Sequence, residues 1–262
     1  MKFALLGYEV EGEWDRLPQA ERDRRVHNHQ GALSEVTVQR GMVERKTFVL
    51  TSTGLHGPAK EATTVRIRGG KRLTVDGPFA ETKEVLAGFD IIEFDSIQAA
   101  VEWSKRYFTH DTHVGEIRPV DEMWYIAQAA NKASANRFML TLNLDEAAWA
   151  RVPESERIRL LAEQGQVGSQ YTQDAMVTQA PIALSYVRMR PSGEATTLRK
   201  IGGQIVASSG PSAATKETLF GFLELDCAAK NDAIAYAQRL AVHEAFAVEI
   251  RPVFGSWFTF HC

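Results

Sequence analysis

The chain has 262 residues, 44% hydrophobic and 24% charged, with a net charge of -3, which is enough for one large domain or two small ones with separate cores. Without a basic excess, neither nucleic acid nor an acidic membrane surface is an expected partner. Two cysteines, Cys227 and Cys262, cannot make a disulfide framework. No apolar run approaches the ~20 residues that span a bilayer, and residues 1–8 are too short and too soon followed by acids for a secretory signal, so a cytoplasmic location is expected.

The run at residues 3–8 is short and apolar and predicts a buried strand. After Pro18, residues 19–40 are rich in helix formers, with Val26, Leu33 and Val36 on one stripe. His29 shares that stripe, and Gly41 suits a helix end. Residues 47–51 predict a second strand, followed by a loop at 54–58. Two alternating runs at 63–68 and 71–75 flank Gly69-Gly70, a strong β-hairpin signal because both residues tolerate positive φ. Then comes Asp76-Gly77-Pro78-Phe79-Ala80-Glu81-Thr82-Lys83-Glu84, followed by Gly88-Phe89 and an alternating strand to Phe94. Asp95 or Ser96 can cap a helix lined by Ile97, Ala100, Val101 and Ser104, and residues 114–119 close the unit as a strand.

Residues 123–136 predict a linker, with a short helix around 123–130. Beyond it the pattern starts again. Phe138, Trp149 and Pro153 answer Phe3, Trp14 and Pro18, and Ser209-Gly210-Pro211-Ser212-Ala213-Ala214-Thr215-Lys216-Glu217 echoes the nine-residue stretch 133 residues later. Glu249-Ile250-Arg251-Pro252-Val253 repeats Glu116-Ile117-Arg118-Pro119-Val120 residue for residue. The division expected is residues 1–122, a linker at 123–136, and residues 137–262 with an aromatic C-terminal extension that docks on apolar surface. Each copy reads as α+β, with helices on one face of a mostly antiparallel sheet. The two sheets are expected to pack as an internal pseudo-dimer that buries the faces the helices leave open, with a further homodimer as an option.

These motifs, above all the stretch from Asp76 to Glu84 with Gly88-Phe89, resemble the YCII-related family in its DGPF-domain branch, here as a tandem whose second motif is degenerate. The resemblance covers nearly all of residues 1–120 and, in weaker form, 137–253. It implies two ferredoxin-like repeats of the dimeric α+β barrel type. It permits an enzyme without implying one: some relatives carry a histidine–aspartate pair tied to proton transfer on small molecules. The loop where that aspartate is expected here reads Thr53-Gly54-Leu55-His56-Gly57 and contains no acid.

Comparing the copies sorts the candidates. Gly210, Pro211, Thr215, Lys216 and Glu217 are kept from the first motif, while Asp76, Phe79 and Glu81 give way to Ser209, Ser212 and Ala214. Asp76 is therefore either a turn cap or a functional acid. His29, replaced by Gln164 in the second copy, is either a core histidine or a proton carrier active near neutral pH. Asp76 and His29 are the candidate catalytic pair, and Phe79, Glu81, Arg66 and Lys83 the candidate substrate contacts, since an arginine fork suits a carboxylate. His110-Asp111 and His243-Glu244 match between copies and read as loop polarity. No metal spacing is present and no cofactor is expected. Two readings stay open: a cofactor-independent acid–base enzyme on a small organic molecule, or a non-catalytic module binding a small-molecule ligand or a protein.

Overall fold

The computed structural model describes residues 1–41, 49–56, 59–79, 83–108, 113–125, 136–174, 182–213 and 215–257. The first half runs β1 (Lys2–Val10), α1 (Glu13–Arg16), α2 (Gln19–Gly41), β2 (Val49–His56), β3 (Thr63–Arg68), β4 (Lys71–Asp76), β5 (Glu84–Glu93), α3 (Ile97–Tyr107) and β6 (Val114–Tyr125). The second half has the same order: β7 (Arg137–Leu144), α4 (Glu146–Ala150), α5 (Glu154–Asp174), β8 (Ile182–Met189), β9 (Thr196–Ile201), β10 (Gln204–Ser209), β11 (Thr218–Asp226), α6 (Lys230–Leu240) and β12 (Phe246–Trp257). The fold is α+β with an antiparallel sheet, as expected.

The apolar run in β1 alternates poorly because both of its faces are buried. Phe3 and Leu5 pack under the helices with Phe94, Ala100 and Trp103. Ala4 and Leu6 face the other way, against Phe89, Ile91, Met139, Val187 and Phe222, as the two-residue period of a strand requires. The hairpin glycines Gly69 and Gly70 both have positive φ, 54° and 72°, which matches the twist of the strands they join. Ser96 accepts a hydrogen bond from the Ala99 amide at 3.2 Å and starts α3.

Eight strands close into a ring in the order β1, β5, β2, β12, β7, β11, β8, β6 and back to β1. Hairpin β3–β4 attaches to β12 of the other half, and hairpin β9–β10 attaches to β6. The ring interior is the apolar cluster shared by both halves, with the Phe89 and Phe222 rings 3.8 Å apart between centroids.

Two expectations, a helix and a loop, are corrected at the ends of the long strands. The short helix expected around 123–130 begins as strand instead: β6 continues to Tyr125 and pairs Met123 with Val187 and Trp124 with Tyr186, and residues 126–130 lie outside the described residues. Met123 then packs into the ring interior and Trp124 into the outer core, an alternation that only a strand supplies. The extension after Val253 joins by backbone pairing, Gly255 to Gly54 and Trp257 to Ser52. The loop expected at 54–58 is accordingly strand as far as His56, because β12 provides its partner.

Candidate functional site

Residues two apart on a strand share a face. Glu116 and Arg118 on β6 do so, as do Glu249 and Arg251 on β12, and all four are buried. Arg118 donates to Glu116 Oε1 and to the Leu219 carbonyl. Arg251 donates from Nε to Glu249 Oε1 at 2.6 Å and from Nη1 to the Leu86 carbonyl at 3.5 Å. Removing one partner from such a buried pair costs about 3–5 kcal/mol, because the other charge is left uncompensated.

The second oxygen of each glutamate reaches the motif of the opposite half. Glu249 Oε2 accepts the Phe79 amide at 2.8 Å, and Glu116 Oε2 accepts the Ser212 amide at 2.8 Å. Arg66 donates to the Phe79 carbonyl at 2.9 Å and meets Glu217 at 3.4 Å. Arg199 donates to the Ser212 carbonyl at 2.7 Å and forks onto Glu84 at 2.9 and 3.0 Å. The turns themselves are held alike. Thr64 Oγ1 donates to the Gly77 carbonyl at 2.8 Å and Thr197 Oγ1 to the Gly210 carbonyl at 2.7 Å. Gly77 and Gly210 have φ of 107° and 99°, which side-chain-bearing residues rarely adopt.

Between these clasps lies a cavity of about 80 Å³. Tyr8, Leu86, Arg118, Thr141, Leu219 and Arg251 are among its walls, so β1, β5, β6, β7, β11 and β12 all contribute. Burial, and next the nearby Glu116 carboxylate, push the Tyr8 phenol well above its ordinary range, while the Ser212 side chain hydrogen-bonds to it. Asn143 donates to Thr141 Oγ1 at 3.2 Å.

Asp90 on β5 belongs to the opposite face of the sheet, in phase with Ile92 and Phe94 under the helices. It is buried, and His29 Nε2 from α2 approaches Asp90 Oδ1 at 3.7 Å with the imidazole partly open to solvent. In the second half the matching residues are Gln164, which donates to the Leu240 carbonyl at 2.9 Å, and Leu223 in the core.

The candidate residues therefore separate. Asp76 is exposed at the end of β4 and accepts from Thr63 at 3.4 Å, on a hairpin attached to β12, whereas His29 lies on α2 beside β2 and α3. The acid that the fold brings to His29 is Asp90. Phe79 lines the cavity and Arg66 holds its carbonyl. Lys83 is exposed, its carbonyl accepting from the Glu11 amide at 3.4 Å, and Glu81 lies outside the described residues. His110-Asp111 also lies outside them. His243 Nδ1 accepts from the Ala245 amide at 3.0 Å, and Glu244 accepts from the Gly70 amide at 3.1 Å. Sequence reasoning missed Tyr8, Asp90 and the four buried charges. The signal for the last was present, in a glutamate and an arginine two apart around a β-branched residue in both halves.

Among the described residues no cluster of three or more His, Cys, Asp or Glu side chains is placed to hold a metal ion, and no described helix is long and apolar enough to cross a membrane.

The comparisons with known proteins assign no reaction. An uncharacterised protein of Rhizobium meliloti, R00369, is 31% identical over 125 residues, which is 46% of this chain and 92% of that protein. Among solved structures, a putative chlorite dismutase, TA0507, aligns over 97% of this chain and 94% of its own at 6% identity and a TM-score of 0.42. Chlorite dismutase from Candidatus Nitrospira defluvii in complex with imidazole aligns over 95% and 90% at 9% identity and 0.40. A heme-binding protein from Thermus thermophilus aligns over 97% and 91% at 10% identity and 0.39. The YCII-related domain matches residues 1–124, and with the Rhizobium relative covered almost end to end, the chain belongs to the YCII-related family.

Proposed function

We propose that the chain is a tandem of the DGPF branch, its halves packed as an internal pseudo-dimer, and that the first half carries out acid–base chemistry on a small organic molecule at His29. The observation that carries the chemical part is the buried Asp90 carboxylate 3.7 Å from a solvent-reachable imidazole, at two positions where the second half has Gln164 and Leu223. A buried carboxylate behind an imidazole fixes its tautomer and stabilises the imidazolium formed when it takes a proton. His29 receives the substrate proton on its open side and returns it, and Asp90 orients the ring. The separation exceeds a hydrogen bond and shortens when the ring is charged, as apo geometries of acid–base pairs often do. Asp76 keeps a structural part, closing the hairpin end through Thr63.

The test is a screen of small keto acids, amides and lactones for deuterium exchange and ring opening. It uses the parent, His29→Gln, Asp90→Asn and Asp76→Asn. Loss of His29 is expected to lower turnover by about 10²-fold or more, Asp90→Asn by less, and Asp76→Asn not at all. Ring-nitrogen NMR adds a readout that needs no substrate: one tautomer of His29 dominates in the parent and the mixture evens out in Asp90→Asn. Turnover indifferent to His29→Gln, or a tautomer ratio indifferent to Asp90→Asn, defeats the reading.

The tandem part is supported by bonds recurring 133 residues apart, such as Thr64–Gly77 with Thr197–Gly210, and by a relative that spans only 46% of this chain while being covered over 92% of its own length.

A further inference from the structure

The cavity between the two clasps is unrelated to His29 and lies on the other face of the sheet. Its polar groups divide into those already committed and those left over. Both oxygens of Glu116 and both of Glu249 are taken up by an arginine and a backbone amide. Arg66 and Arg199, just outside, are matched by Glu217 and Glu84. The cavity thus offers no surplus positive charge, and a guest bearing a full negative charge would enter without a counter-ion.

The groups left over include donors. Thr141 Oγ1 accepts from Asn143, so its own proton remains to be given. Burial keeps the Tyr8 phenol protonated through the physiological range, so it too can donate. Leu86 and Leu219 supply apolar wall between these groups. A volume of about 80 Å³ is roughly half that of the ~150 Å³ cavity known to admit benzene, which limits a guest to about four heavy atoms.

We propose that this cavity is a binding site for a small uncharged carbonyl compound, a ketone, aldehyde or amide, whose oxygen accepts from Tyr8 and Thr141 while its alkyl end lies against Leu86 and Leu219. The site depends on both halves and draws a different donor from each, Tyr8 from the first and Thr141 from the second, whose matching positions hold Asn143 and Leu6. With at most about 1.5 kcal/mol per heavy atom available, a four-atom guest binds no tighter than tens of micromolar, and millimolar affinity is expected.

Acetone, acetamide and acetate are matched in size and differ in charge, and each can be titrated against the full chain by amide-shift NMR. Acetone and acetamide are expected to give saturable shifts in strands β5 and β7, acetate to bind at least tenfold more weakly, and Tyr8→Phe or Thr141→Val to weaken acetamide at least fivefold. The two variants each remove one hydroxyl and keep the shape, so a folding failure in one leaves the other as the test. Crystals soaked in acetamide should show it in the cavity. The assignment is overturned by a cavity holding only ordered water under those conditions, by acetate binding as well as acetamide, or by affinities that neither substitution changes.

Discussion

Gly221 shows what a single residue contributes beyond its place in a motif. In sequence, Gly221-Phe222 mirrors Gly88-Phe89, and the shared glycine reads only as a strand feature. In the fold a Cβ at Gly221 would sit 2.4 Å from the Val187 carbonyl oxygen on β8, closer than backbone atoms tolerate. The glycine permits β8 to approach β11 where Gly221 pairs with Arg188, beside a bulge in the pairing of β11 with β7 between Leu219 and Gly221. Gly221→Ala is expected to lower stability by about 1–3 kcal/mol, as overpacking does, and to shift the urea midpoint down with little change in slope. An unchanged midpoint would mean that β8 yields at no cost. Asp90 was legible in the same partial way. Phe89-Asp90-Ile91-Ile92-Glu93-Phe94 alternates as a strand, but because both faces are buried, nothing in the pattern says which phase faces the helices. Only the contrast with Leu223, at the matching place in the second half, marks Asp90 as a polar group at a core position.

The elements were read well where local chemistry decides them and poorly where a partner does. The β3–β4 hairpin, the capped start of α3 and the long α2 follow from residues within a few positions, and the structure has them. The ends of β6 and β12 follow from strands far away in sequence, so a run such as Met123-Trp124-Tyr125 reads as helix or linker until β8 is beside it. The charged parts of the motif are a similar case. Glu84 and Glu217 pair with arginines of the opposite half, and Lys216 lies 3.4 Å from Asp145. Asp145 is the N-cap of α4, accepting the Ala148 amide at 2.9 Å. That backbone hydrogen bond, more than the exposed Lys216, holds its carboxyl below the ordinary value of 3.8. Because the folded value is depressed, the ionised form stabilises the fold above about pH 4, and the contribution disappears as pH falls through the folded value. Asp145→Ala is therefore expected to cost about 1 kcal/mol at pH 7. The gap from the parent narrows on acidification below pH 4, as urea unfolding at both pH values would measure; a gap that stays constant with pH would show that the charge is not what caps the helix.

At the scale of the molecule, the ring closes only through contacts between halves. β2 takes its outer partner from β12, and β6 takes its late partner from β8. Each hairpin rests on the other half, and Glu249 and Glu116 each accept an amide from the other motif. A piece comprising residues 1–125 would lose all of these at once, leaving two open strand edges, which pair readily with whatever strand is available. The pseudo-dimer reading makes a definite prediction for that piece. Two copies can restore every lost contact in kind: Glu84 of one for Arg66 of the other in place of Glu217, and the Phe79 amide for Glu116 in place of Ser212. Residues 1–125 are therefore expected to form a folded dimer by light scattering, while the full chain needs no second copy to close its ring. Arg66→Glu places like charges against Glu84 in that dimer and should dissociate it, since like-charge contact across an interface costs several kcal/mol. A piece that stays folded as a monomer, or one that dimerises regardless of Arg66→Glu, would show that the ring is not built from two equivalent halves.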